Sequence, residues 1–214
     1  MDIDRIDKGI FRLRVPFETL TTSVYFYVCE QGTAIIDSAT YPSDVDDYIV
    51  PALKECSIQG TDVKFLLLTH DHCDHNGGTQ RLSEIFADAR IGTSFAIDSP
   101  DRMELVDGET ILGGLKAVFL PGHTSNSFGF YDAATKTLLS GDCLQLDGIG
   151  KYRDGIWNAA VYIDSINKLK HMDIRRIVAA HEYDPLGSVA EGQTAVENYL
   201  DACISIAKRK SLMK

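Results

Sequence analysis

Residues 69–78 read THDHCDHNGG, so that His70, Asp71, His72, Asp74 and His75 fall within six positions. Neutral imidazoles and carboxylates are the ligands expected of Zn²⁺, and also of Fe or Mn. Three further polar residues follow apolar runs downstream: His123 in FLPGHTSNSFGF, Asp142 in TLLSGDCL and His181 in RIVAAHEYDPLG. His70 and His72 are two apart, so an extended loop sends both side chains to one side. Asp74 and His75 lie just beyond and can face a second position. The expected arrangement is a two-metal centre. His70, His72 and His123 would hold one ion, Asp74, His75 and His181 the other, and Asp142 would bridge them. A water between metals about 3.5–4 Å apart would be the nucleophile. Two divalent ions set against two carboxylates and a hydroxide leave one net positive charge, which suits an anionic tetrahedral intermediate. Asp71 and Cys73 alternate with the ligands and are expected to point away. His171 stands alone and reads as a surface histidine.

The elements that would position these residues can be read from periodicity. Residues 10–15 alternate apolar and polar as IFRLRV, a half-buried strand. Residues 23–30 and 33–38 are β-branched and aromatic, with a tight turn at Gln31-Gly32, so the chain opens as a β-meander. Pro42 and Ser43 start a helix to about Cys56. VKFLLLTH, residues 63–70, is a continuous apolar strand that ends on the cluster. Asn76-Gly77-Gly78 leads into a helix carrying Leu82, Ile85 and Phe86. A second β-rich stretch follows, with Asp132 to Thr135 as a hairpin loop. Residues 157–170 read as a helix, 174–181 as a strand ending on His181, and 189–208 as a last helix. The pattern is strands then helix, twice, without a linker, which predicts a single domain over 1–214. Its natural packing is two sheets face to face with helices outside. His70, His123, Asp142 and His181 each follow a buried strand, and ligand sites gather where loops leave such a scaffold.

The formal net charge of −10 argues against a phosphate-backbone partner and against an anionic membrane surface. The basic run Lys208-Arg209-Lys210, with Lys214, reads as a solvated helix end. Five cysteines occur without a CxxC pair, the pattern of a reducing compartment. Residues 1–20 carry no apolar h-region, and no window reaches a spanning length. A cytoplasmic location is expected.

The run from His70 to His75, with His123, Asp142 and His181 in order downstream, resembles the HxHxDH pattern of the metallo-β-lactamase superfamily. Asp37 in AIIDS is similar to the family's first motif, an aspartate that orients the ligand loop from behind the metals. The resemblance implies a mixed α/β fold, the four-layer αββα sandwich of that family. Within it THDHCDHNGG is similar to the THxHxDHxGG of glyoxalase II, the hydroxyacylglutathione hydrolases. GDCLQLDGIGKYRDG, residues 141–155, and HEY, residues 181–183, resemble two later motifs of that group. The resemblance implies that Lys151 and Tyr183 contact the glutathione part of a thioester. Arg153 stands where the group often has an aromatic residue, and would meet an acidic group or solvent.

The expected activity is hydrolysis of a small thioester or ester by a dinuclear metal centre. Zn²⁺ is the first candidate, with Fe or Mn as alternatives, and the partner is a small molecule such as a glutathione or other thiol ester. Asp74 would orient the attacking hydroxide, and a thiolate leaving group needs little acid assistance. Two other readings use the same residues: a mononuclear iron persulfide dioxygenase on His70, His123 and Asp142, and a lactonase of the same superfamily.

Overall fold

The computed structural model describes residues 1–144, 158–182 and 186–211, and the chain divides into two compact units. The first comprises Met1–Leu105 with Thr110–Gly114, and the second Val106–Glu109 with the residues from Leu115 onward.

In the first unit β1 (Ile3–Asp7), β2 (Ile10–Phe17), β3 (Leu20–Cys29) and β4 (Gly32–Ile36) pair antiparallel in sequence order. β5 (Val63–Leu67), β6 (Arg90–Thr93) and β7 (Arg102–Glu104) then add in parallel, completing a seven-stranded sheet. The crossover from β4 to β5 carries α1 (Pro42–Asp44), a π-helical stretch (Val45–Ile49) and α2 (Val50–Glu55). Pro42 sits in the first turn, where its missing N–H costs nothing. Pro51 follows the π-helical stretch and cannot donate to the turn before it, which is where a regular ladder widens. α3 (Cys73–Asn76) and α4 (Thr79–Ile85) follow β5. Val24, Phe26, Ile35 and Leu66 of the sheet pack with Val45, Ile49, Leu53, Leu82 and Phe86 of the helical segments in one apolar core.

β8 (Thr110–Leu112) precedes the second unit's sheet in the chain. In that unit β9 (Leu115–Phe119), β10 (Phe128–Asp132) and β11 (Thr137–Gly141) pair antiparallel. α5 (Ala159–Leu169) leads to β12 (Arg176–Ala179), which pairs parallel to β11, and β13 (Val189–Glu191) returns antiparallel to β12. α6 (Gln193–Ser211) closes the described chain. The core joins Val118, Leu138 and Ile177 of the sheet to Tyr162, Ile166 and Leu169 of α5 and Tyr199, Leu200 and Cys203 of α6. Asn158 caps α5, its side-chain oxygen accepting from the Ala160 and Val161 amides at 3.0 and 3.2 Å. The β10–β11 hairpin expected from the sequence is present, closed by Asp132, whose carboxylate accepts from the Thr135 amide and hydroxyl.

Several expected boundaries are corrected. The strand expected to reach His70 ends at Leu67: the Leu68 amide still donates to Gly92 O of β6, but the Thr69 amide turns away to the Asp37 carboxylate. The last helix begins at Gln193 rather than 189, since 189–191 pair with β12 and Gly192 then turns the chain at φ 88°. β1, β7 and β8 are too short or too mixed in polarity to stand out as strands in the sequence. The first residue of the expected 157–170 helix, Trp157, lies outside the described residues. Among the described residues no helix is long and apolar enough to cross a membrane.

Candidate metal centre

In the first unit β4 and β5 run parallel with Ile36 opposite Leu67, so Asp37 and the chain leading to His70 leave the same end of the sheet. The Asp37 amide donates to Leu67 O at 2.8 Å. Its φ of 62° is left-handed, a conformation that Asp tolerates better than most residues. Its carboxylate, buried, accepts three hydrogen bonds: from Thr69 N–H at 2.8 Å, from Thr69 Oγ1 at 2.9 Å and from His75 Nδ1 at 2.7 Å. The last of these fixes the proton of His75 on Nδ1 and leaves the ring lone pair at Nε2, the arrangement a metal ligand needs.

His72 has extended backbone, φ −72° and ψ 145°, and precedes α3. The extended spacing expected for the cluster therefore holds from His70 to His72. Asp74 and His75, just beyond, are presented by the helical turn of α3. Asp71 and Cys73 are exposed, whereas His70, Asp74 and His75 are buried. The His70 ring centroid is 4.6 Å from that of His72 and 4.2 Å from that of His75. His75 Nε2 lies 3.4 Å from Asp74 Oδ2, and Thr22 Oγ1 donates to the same oxygen at 3.4 Å. The two glycines after the cluster are required by close packing: a Cβ on Gly77 would meet Thr40 O at 1.9 Å, and one on Gly78 would meet Ser38 O at 2.2 Å. Ser38 N–H and Oγ both bond to His75 O, tying the helical turn to the end of β4.

In the second unit β11 and β12 are parallel with Gly141 opposite Ala179, so Asp142 and His181 also leave neighbouring strands at one end. Ala180 N–H donates to Gly141 O at 3.2 Å. Beside His181, the Glu182 carboxylate accepts from Ser188 Oγ at 2.6 Å and from Ser188 N–H at 3.1 Å. His123 sits in a tight turn after β9. Gly122 has φ 136°, which only glycine adopts comfortably, and a Cβ there would lie 2.4 Å from Tyr162 Cα. Ser165 Oγ donates to Pro121 O at 2.7 Å, anchoring the same turn to α5. His123 Nε2 is 3.6 Å from Asp142 Oδ2, and His181 Nε2 is 3.3 Å from Asp142 Oδ1. The two imidazoles thus approach different oxygens of one buried carboxylate.

These spacings fit a metal site. Two ligands each about 2.1 Å from a tetrahedral metal stand about 3.4 Å from one another. The nitrogen–oxygen separations of 3.4, 3.6 and 3.3 Å are of that size, and all the donors are ones a divalent cation takes. The His and Asp groups of this chain can therefore bind metal ions. His171 is exposed, its Nδ1 bonded to Asn167 O at 2.7 Å, as a surface histidine would be. Burial pushes the Cys203 thiol up to about 12 and the Tyr162 phenol well above its usual value, so neither supplies a nucleophile near neutral pH. Lys151, Arg153 and Tyr183 lie outside the described residues. Sequence reading missed Thr69 and Thr22, whose hydroxyls contact Asp37 and Asp74. Their signal is weak, since a threonine beside a strand is ordinary.

Residues 18–100 match the family profile of the metallo-beta-lactamase superfamily. A hydroxyacylglutathione hydrolase of Synechococcus sp. (strain JA-2-3B'a(2-13)) is 31% identical over 141 residues, covering 62% of this chain and 55% of its own. One from Thermosynechococcus vestitus is 27% identical over 195 residues, covering 85% and 74%. The chain spans about half the length of the first of these relatives. Among solved structures, a metallo-beta-lactamase from Pontibacter korlensis superposes with a TM-score of 0.76 at 18% identity, over 97% of this chain and 98% of the other. The mixed α/β fold with two sheets is thus the metallo-β-lactamase fold expected from the sequence. The profile match over residues 18–100, the hydroxyacylglutathione hydrolase relatives and the fold together support a glyoxalase II-like member of the metallo-β-lactamase superfamily.

Proposed function

We propose that the two units work as one domain, 1–214, and that seven side chains hold two divalent cations. In this proposal His70, His72 and His123 would hold one ion and Asp74, His75 and His181 the other, with Asp142 shared between them. Zinc is the first candidate by ligand chemistry, with Fe or Mn as alternatives. The activity we propose is hydrolysis of a small thioester or ester, in keeping with relatives named hydroxyacylglutathione hydrolase. The observation that carries it is the approach of His123 and His181 to opposite oxygens of Asp142, the geometry of a carboxylate shared between two ions.

The metals, when bound, lower the pKa of a coordinated water and polarise the substrate carbonyl. The chain's own residues set the geometry. Asp37 holds His75 with its lone pair at Nε2. Thr22 donates to Asp74 Oδ2, which restrains that carboxylate. Asp74 accepts a hydrogen bond from the attacking water and turns its lone pair toward the carbonyl carbon. A thiolate leaves without a proton, so a thioester asks less of the site than an amide would. On the resemblance to glyoxalase II, Lys151 and Tyr183 would contact the glutathione part, and Arg153 would meet an acidic group or solvent.

Elemental analysis of the purified protein, paired with a panel of hydroxyacylglutathione thioesters, lactones and β-lactams, tests this reading. About two metals per chain and chelator-sensitive thioester cleavage are expected. One iron per chain with oxygen uptake on a persulfide would overturn it, and preference for a lactone would replace the substrate.

A further inference from the structure

Thr69 stands between Asp37 and His70, and all three side chains are buried. Its Oγ1 is 2.9 Å from Asp37 Oδ2 and 3.0 Å from His70 Nδ1. A threonine hydroxyl has one proton to give and two lone pairs to accept with. The Asp37 carboxylate can only accept, and it already receives the Thr69 amide on Oδ1 and His75 Nδ1 on Oδ2. The hydroxyl proton therefore goes to Asp37. What Thr69 turns toward His70 is a lone pair, and an acceptor facing Nδ1 requires a proton on Nδ1.

We infer that Thr69 is a positioning residue that fixes His70 as its Nδ1–H tautomer, so that the ring lone pair stands at Nε2, the atom a cation would take. Asp37 does this directly for His75 and, through Thr69, for His70. One carboxylate thereby sets two imidazoles. The opposite arrangement, with Thr69 donating to His70, would set the lone pairs of Thr69 and Asp37 against each other at 2.9 Å. It would also put the His70 proton on Nε2, where it would block a metal. The double hold on Thr69, amide to Oδ1 and hydroxyl to Oδ2, keeps its side chain from rotating away. The consequence for metal binding rests on the metal centre proposed above; the tautomer does not.

The decisive measurement is two-bond ¹H–¹⁵N NMR of metal-free, ¹⁵N-histidine-labelled protein, which separates Nδ1–H from Nε2–H imidazole. His70 and His75 are both expected as Nδ1–H in the unmodified chain, and a His70 signal of the Nε2–H form would overturn the inference outright, whatever the variants do. Thr69→Val, which lacks the acceptor, should redistribute the His70 tautomer while leaving His75 unchanged as a control for folding. Thr69→Ser should restore it. In chelator competition Thr69→Val should bind zinc roughly 10–100-fold more weakly and Thr69→Ser close to the unmodified protein. Equal losses in both variants, or none in either, would assign Thr69 to packing and refute the role. Failure of the unmodified chain to bind zinc would instead defeat the proposed metal centre, with the NMR result still deciding the tautomer.

Discussion

Asp37 satisfies three buried donors with two oxygens, and two of the three lead to imidazoles. A carboxylate in that position orients ligand rings and raises their basicity without touching an ion. Asp37→Asn is a clean probe, because asparagine accepts the same left-handed backbone (φ 62°) and nearly the same volume. The amide has one accepting oxygen in place of two, and its NH₂ would confront a donor. We expect a roughly 10–100-fold loss of zinc affinity in chelator competition, with the fold retained by circular dichroism. Unaltered affinity would remove Asp37 from the centre. Away from the site, Asp4 illustrates an ordinary ion pair with a directional consequence. The Arg12 guanidinium bonded to Asp4 at 2.7 Å, together with Arg14, holds its carboxyl below the usual carboxylate range. A depressed folded-state pKa means stability that is present above the unfolded value and lost as pH falls through the folded one. Asp4→Asn is therefore expected to lower stability at neutral pH, leaving the nearly buried Arg12 without this partner. The difference from the unmodified chain should shrink toward zero in acid. A urea-denaturation gap of the same size at pH 7 and in acid would contradict this. Half-exposed Asp4 keeps the effect modest, well under that of a buried pair.

Within each unit a parallel strand pair brings candidate ligands together. β4 with β5, and β11 with β12, each release two site residues at neighbouring strand ends. This much could be read in the letters, because an apolar run that ends on His or Asp is a strong pattern, and His70, Asp142 and His181 all follow one. The hydroxyls were not readable, since Thr69 and Thr22 matter only through side-chain contacts with Asp37, His70 and Asp74 that folding creates. The helical turn at 73–76 was hidden because four residues give no period to detect. Position 122 offers the sharpest test of an element. Its φ of 136° excludes L side chains at low cost, and a methyl would press on the Tyr162 backbone of α5. Backbone strain and overpacking together predict that Gly122→Ala loses about 2–5 kcal/mol, or displaces the His123 turn to relieve them. Thermal unfolding with metal titration distinguishes the two: lower stability with intact affinity, or lost affinity with stability kept. A variant unchanged in both would show that the turn has room that its geometry denies.

For the molecule as a whole, no disulfide joins any of the five cysteines, all of which lie among the described residues, so cross-links contribute nothing to its stability. A metal centre of the kind proposed would supply such a constraint. Its ligands are drawn from positions 70 to 181, so it would close long stretches of chain only in the folded state. An ion that binds the folded chain and not the unfolded one stabilises by RT ln(1 + [L]/Kd), about 2.7 kcal/mol at a hundredfold excess over Kd. For a chain of this size that corresponds to a rise in Tm of about 5–10 °C. Metal-free protein titrated with zinc should therefore melt progressively higher, with the gain reversed by chelator. His72→Ala, which strips one ligand and leaves the buried core untouched, should show a smaller gain and little turnover. Identical melting with and without zinc, at concentrations that restore activity, would mean that the ion binds without holding the fold together. The centre would then be a catalytic appendage to a structure already complete.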